Sequence, residues 1–191
     1  MPLTFPVLYG SVRTERQGIV LANHVAETLR GRGHDAPLID PLERRLPLLD
    51  RMYKEYKGDA PPVLEELAAI YKAADGFVIV SGEYNHGIPP ALKNLLDHFL
   101  EEYFWRPSAI VSYSAGGFGG VRAAMQLRMT LGELGMPPIP TIFAVPKVGQ
   151  AFGENGAPAD ERFAQRFDKF ARELEWYAEA LKAKRAEGVP Y

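Results

Sequence analysis

The sequence has no cysteine. Disulfides, thiolate metal sites and cysteine nucleophiles are therefore excluded together. It also lacks an excess of charge: 22 Lys and Arg stand against 24 Asp and Glu, a net charge of −2. Such a balance draws the chain neither to nucleic acid nor to an anionic membrane surface. No window approaches the roughly 20 apolar residues of a membrane span. The opening "MPLTFPVLYGSVR" has no basic segment leading into an apolar core. A cytoplasmic location is expected, which the missing cysteine also suits. Histidine is scarce: the four are His24, His34, His86 and His98, without His-Glu-x-x-His spacing. No metal site is expected from them. What is present is an ordinary globular composition, 47% hydrophobic and 24% charged over 191 residues. One domain spanning 1–191 is expected.

Apolar patterning alternates between strand and helix periods. Strands are expected at 6–9, 36–40, 76–80, 108–113 and 140–145. The run "GFVIV" (76–80) is continuously apolar, as in a strand covered on both faces. Helices are expected at 18–31, from Asp59 as cap with Pro61 and Pro62 in the first turn, at 89–104, at 119–134 and at about 160–184. The stretch 41–60 reads as loop. The last helix repeats Phe163, Phe167, Phe170, Leu174, Tyr177 and Leu181 on one face, a spacing that reads as core packing. Five strands alternating with helices give an α/β chain with a doubly wound parallel sheet. In a 2-1-3-4-5 sheet, ligands bind beyond the carboxyl ends of the strands, where the order switches.

Three strand-to-helix loops carry the chemistry. "YGSVRTERQG" (9–18) offers the Ser11 hydroxyl, the Arg13 and Arg16 guanidinium groups, and Gly10 and Gly18 before a helix start. That is a recipe for binding phosphate. A solvated turn with two surface arginines is the alternative. The loop lacks the Gly-Lys-Ser/Thr ending of a P-loop and the three spaced glycines of a dinucleotide site. "SGEYNHGIPPALKNLLDHF" (81–99) places Glu83, Tyr84 and Asn85 at the mouth of an apolar strand. They suit the polar edge of a heteroaromatic ring, or a capping turn. "SYSAGGFGGVR" (112–122) presents a flat glycine surface around Phe118, against which a planar ligand fits; a flexible loop is the alternative. Together they suggest a mononucleotide with a planar head.

With "GSVRTERQG", the "EYN" segment followed by "PPALKNLLDHF", and "SAGGFGGVRAAMQLR", nearly the whole chain resembles the NAD(P)H-dependent FMN reductase family of flavodoxin-like proteins. The resemblance implies a flavodoxin-like fold and non-covalent FMN. Ser11, Arg13, Gln17 and Gly18, with Arg16, match the phosphate loop. Glu83, Tyr84 and Asn85 match the ring-edge segment, and Ser114, Gly116, Gly117 and Phe118 the loop along the ring. Gly82 stands where the family usually has proline, and Gln17 where many members have a small hydroxyl residue.

The implied activity is a ping-pong transfer of hydride from NAD(P)H, through FMN, to a small-molecule acceptor: a quinone, free flavin, azo dye or metal oxyanion. No side chain is required as a catalytic base. Backbone N–H groups near Gly116 and Gly117 would stabilise charge on the reduced ring. A homodimer or homotetramer is expected, with helix 89–104 in the interface. The aromatic stretch 98–107, with Tyr103, Phe104 and Trp105, reads as core or, preferably, as a subunit contact that also walls the flavin. Two other classes compete. A flavodoxin-type electron carrier would bind FMN without nicotinamide turnover, but such carriers are strongly acidic. A receiver-like signalling domain needs an acidic phosphoacceptor at the third strand's end, where Ser81 and Gly82 stand.

Overall fold

The computed structural model describes residues 1–153 and 156–191. Five strands form one parallel sheet: β1 (Val7–Tyr9), β2 (Leu38–Ile39), β3 (Phe77–Ser81), β4 (Ser108–Tyr113) and β5 (Pro138–Val145). Their order is β2-β1-β3-β4-β5, as expected for a flavodoxin-like sheet. Tyr9 lies opposite Val80, Ser81 opposite Ser112, and Tyr113 opposite Val145. The strands thus end nearly level along one edge. The order switches between β1 and β3, where connections leave toward opposite faces and open a crevice.

The helices are α1 (Gly18–Gly31), α2 (Pro41–Arg44), α3 (Pro62–Ala73), α4 (Pro90–Asp97), α5 (Val121–Glu133) and α6 (Arg162–Glu187). Side chains alternate across the strands. Tyr9, Val80 and Val111 join a core with α1 and α6. Leu8, Ile79 and Ile110 join a second core with α3, α4 and α5. The phenylalanine stripe of α6 packs on β5: the Phe143 ring meets Phe163 edge-on at 4.9 Å and Phe167 at 5.3 Å. Pro138 and Pro140 are tolerated because β5 is an edge strand. No helix among the described residues is long and apolar enough to cross a membrane.

Three local expectations need correction. The stretch 41–60 is not all loop. The Asp40 carboxylate accepts from the Leu42 N–H at 2.9 Å and starts α2, with Pro41 in its first turn; a 3-10 turn follows at Tyr53–Tyr56. Asp59 does not cap α3; the cap position is the extended Pro61, without a side-chain cap bond. The helix expected over 89–104 stops at Asp97. Leu100 has φ −148° and ψ −68°, and a 3-10 turn covers Glu101–Tyr103. The bend is held where the His98 carbonyl accepts from the Tyr53 N–H at 2.7 Å. It lets Phe99 and Tyr103 join Tyr71 and Phe77, with ring centroids 4.9–5.4 Å apart.

Tyr103 is therefore core, not a ligand wall. Phe104 and Trp105 precede β4 and lie at the opposite sheet edge from the strand ends. They do not line the crevice of their own chain. The apolar residues Leu92, Leu95 and Leu96 of α4 are buried in its own core, leaving Pro90 and Lys93 exposed.

Candidate functional site

The loop after β1 is built on two arginines with different duties. Arg16 forms a bidentate ion pair with buried Asp40 and also donates to the Ser11 carbonyl at 3.1 Å. Its guanidinium lies 5.4 Å from the Tyr9 ring. The hydrogen bond to Asp40 holds the Arg16 pKa above its ordinary value, so it is a fixed cation of the scaffold. Arg13 is exposed and, among the described residues, makes no ion pair; its guanidinium sits 5.8 Å from the Tyr84 ring. Ser11 is 3% exposed, and its Oγ shares a 2.8 Å hydrogen bond with the Tyr84 hydroxyl. That bond ties the loop after β1 to the one after β3. Gln17, at the cap position of α1, lies against Gly149.

Beyond β3 the chain makes a tight reversal. Tyr84 and Gly87 exchange backbone hydrogen bonds at 3.0 and 2.9 Å. Asn85 and His86 between them have φ of 49° and 67°. Two successive positive φ angles make a type I′ reversal, for which Asn is well suited. Asn85 thus sits at an exposed tip and does not line the cleft described below. Glu83 turns inward instead. Its carboxylate accepts from the N–H groups of Arg122 at 3.0 Å and Ala123 at 3.4 Å, and lies 3.3 Å from the Arg122 guanidinium. Its side chain is committed to the start of α5.

After β4 the chain wraps around Ser114. The Ser114 Oγ donates to the Gly116 carbonyl at 2.9 Å and accepts from the Gly119 N–H at 2.9 Å. The Lys147 N–H donates to the Gly116 carbonyl at 2.9 Å, and the Val148 N–H to the Ser114 carbonyl at 3.0 Å. The loop after β5 therefore braces this one. Gly116 and Gly117 lie on open surface: a Cβ on either would meet no heavy atom within 4 Å. Phe118 is exposed, with the Arg122 guanidinium 4.3 Å from its ring.

Tyr113, the last residue of β4, was not singled out from the sequence. It is 8% exposed, and its hydroxyl donates to the Tyr9 hydroxyl at 3.3 Å. Burial raises its pKa, with the neighbouring Tyr9 adding to the effect. Burial also raises that of Tyr9. Both phenols stay protonated at neutral pH. The Tyr113 ring explains two glycines. A Cβ on Gly18 would lie 2.2 Å from its Cζ, and one on Gly82 3.1 Å from the same atom. Its signal in the sequence was an aromatic residue ending a strand directly before a glycine-rich loop.

These parts enclose a cleft of about 360 Å³ at the switch point. Ser11, Arg13, Arg16, Gln17 and Gly18 line it from the first loop, Glu83 and Tyr84 from the second, and Ser114 from the third. Thr14, Glu15, Tyr113, Ala115 and Val148 also contribute and were not expected. Asn85, Gly116, Gly117 and Phe118 lie outside the enclosed part.

The sequence model of the NADPH-dependent FMN reductase family matches residues 4–150. The chain belongs to that family. This oxidoreductase depends on NAD(P)H and FMN, as its family does. An NAD(P)H-dependent FMN reductase of Schizosaccharomyces pombe is 36% identical over 143 residues, covering 73% of this chain and 70% of that protein. An NADPH azoreductase of a Bacillus species is 29% identical over 154 residues, 80% of this chain and 82% of the other. The fold is similar to that of FerB, a flavoenzyme NAD(P)H:(acceptor) oxidoreductase from Paracoccus denitrificans, with TM-score 0.76 at 21% identity over 95% of this chain and 98% of that one.

The residues of this reductase fit the cofactor. Arg13, without an ion pair among the described residues, and the buried Ser11 hydroxyl line the cleft beside a helix start without acidic residues in its first turn. The bare surface of Gly116 and Gly117 lies just outside the enclosed part, on the same loop as Ser114 and Ala115. The volume falls in the range of small-molecule sites, about 300–1,000 Å³.

Proposed function

We propose that the cleft binds FMN with its phosphate on residues 11–18 and its ring along Tyr84 and the 114–117 surface. One observation carries the reading: loops from β1, β3 and β4 meet in a single cleft lined by Arg13, which makes no ion pair among the described residues, and the open Gly116 and Gly117 continue the third loop just outside it. When bound, FMN supplies a reversible hydride acceptor, so that nicotinamide and oxidant use one surface in turn, a ping-pong order.

The protein's own residues bind and orient. Arg13 supplies an exposed positive charge for phosphate, while Arg16, held by Asp40, shapes the loop. Ser11 and Tyr84 hold the two loops in register. The Tyr113 and Tyr9 phenols keep the floor of the cleft neutral. Exposed backbone at Gly116 and Gly117 lets a planar group approach without a side chain in the way. Hydride transfer needs no proton removed from the donor, so the reading asks for no catalytic base.

The acceptor proposed is a small planar oxidant such as a quinone, free flavin or azo compound. Relatives named NADPH azoreductase and quinone reductase support that class. The same reading has the chain acting as one domain, in a cytoplasmic homodimer or homotetramer; light scattering measures the mass that checks the assembly. The deciding test is anaerobic mixing of the FMN-loaded protein with NADH and with NADPH, followed by quinone. Flavin absorbance is expected to bleach with a nicotinamide and return with the quinone. Bleaching with neither nucleotide would leave only the electron-carrier alternative.

A further inference from the structure

Two helices start directly after loops that line the cleft, α1 and α5. A helix start offers backbone N–H groups without intrahelical partners and the positive end of a helix dipole, which suit an anion. Neither has an acidic residue in its own first turn or a side-chain cap from its cap residue. They differ in what the rest of the chain does to them. The start of α5 is filled by the carboxylate of Glu83, which comes from the loop after β3, 39 residues earlier. That side chain is only 10% exposed and meets two backbone amides and the Arg122 guanidinium. A second clamp sits one turn further along α5. The Gln126 side chain donates to the His86 carbonyl at 3.1 Å and accepts from the Ile88 N–H at 3.3 Å. The reversal at 83–88 is thereby fastened to α5 at two levels.

We propose that Glu83 is a positioning residue for flavin binding, acting through α5 rather than by touching the ring with its carboxylate. It has two effects. It occupies the amides at the start of α5, so that the start of α1 with Arg13 is left to take the phosphate. It also fixes the gap between Tyr84 and the glycine surface at 114–117, because both segments then move with α5. This inference rests on the FMN reading above.

The test is a fluorescence titration of the full-length apoprotein with FMN and with riboflavin, which lacks the phosphate. Glu83→Ala should weaken both flavins by the same factor, about tenfold or more, the scale of a lost charge-assisted hydrogen bond. Glu83→Gln keeps an acceptor oxygen for the α5 amides and should recover most of that loss. Arg13→Ala should weaken FMN and spare riboflavin. Leu131→Ala, in the buried side of α5 away from the cleft, controls for stability: it should lower Tm and leave both affinities unchanged. The inference is overturned if Glu83→Ala binds both flavins as the wild type does, if it loses FMN alone, or if Leu131→Ala weakens the flavins equally. A wild type that binds neither flavin overturns the FMN reading and this inference with it. A wild type that binds both, with Glu83→Ala unaffected, overturns this inference alone.

Discussion

Gly18→Ala is a severe test of the packing beneath the cleft. The added methyl would sit 2.2 Å from Tyr113 Cζ, 2.4 Å from its hydroxyl oxygen and 2.6 Å from Cε2. Carbon atoms in contact prefer about 3.5–4.0 Å, so either the ring or the helix start must shift by more than an ångström. The ring has little room: Tyr113 is 8% exposed and stacks on Tyr9 with ring centroids 6.4 Å apart. Overpacking of this kind costs about 1–3 kcal/mol, while replacing glycine in a helix returns at most about 1 kcal/mol. A net loss of about 1–2 kcal/mol is expected by urea unfolding, with a fall in Tm of about 2–4 °C per kcal/mol. The mechanism is tested by a cycle with Tyr113→Leu, which removes all three clashing atoms. Alanine at position 18 should cost nothing, or stabilise, in that background, giving a coupling of about 1–3 kcal/mol. An equal cost in both backgrounds, or a Gly18→Ala protein as stable as the wild type, would refute the steric argument.

The two loop arginines should separate cleanly. Arg16→Ala leaves the Asp40 carboxylate buried with only the Leu42 amide, and should cost about 3 kcal/mol in unfolding experiments; Arg13→Ala should change stability by less than about 0.5 kcal/mol and show its effect in FMN affinity. Asn85→Gly should bind FMN with an unchanged spectrum, because position 85 is an exposed tip at φ 49°, whereas Asn85→Val should lose about 1–2 kcal/mol of stability to left-handed strain. At Glu175, burial opposes the charge but hydrogen bonds from Arg32 and His34 outweigh it, holding the carboxyl below its ordinary value. The stability it contributes is present above the ordinary carboxylate pKa and is lost as pH falls through the lower folded value. Glu175→Gln should flatten that acid limb by about 1 kcal/mol, a partly screened pair, as read from unfolding curves between neutral and acidic pH.

The sequence was most legible where one signal dominated. Gly18–Gly31 and Ser108–Tyr113 were expected with those bounds, because apolar periodicity and flanking glycines agree there. The stretch 89–104 misled because its apolar spacing serves a helix and a helix followed by a turn equally well. The choice was made by Tyr53, whose N–H takes the His98 carbonyl from far along the chain. The start of α2 was readable after all: Asp40 before Pro41, with Glu43 in the first turn, is a sound cap signal within a stretch that looked like loop.

The site divided in the same way. Loop composition located the cleft, since Ser11, Arg13, Tyr84 and Ser114 do converge on it. It did not reveal what each side chain was already engaged in. The partners of Arg16 and Glu83 lie 24 and 39 residues away, a distance over which local pattern carries no information. Asn85 is explained by turn geometry without a ligand, and Tyr113 was hidden as the last residue of an apolar strand.

The most direct measurement of the central claim is a crystal structure of this reductase with FMN bound. The phosphate is expected within hydrogen-bonding distance of Ser11 and Arg13, the ring between Tyr84 and the 114–117 backbone, and the Glu83 carboxylate still on the amides of Arg122 and Ala123. A phosphate bound at the start of α5, with Glu83 displaced, would contradict it.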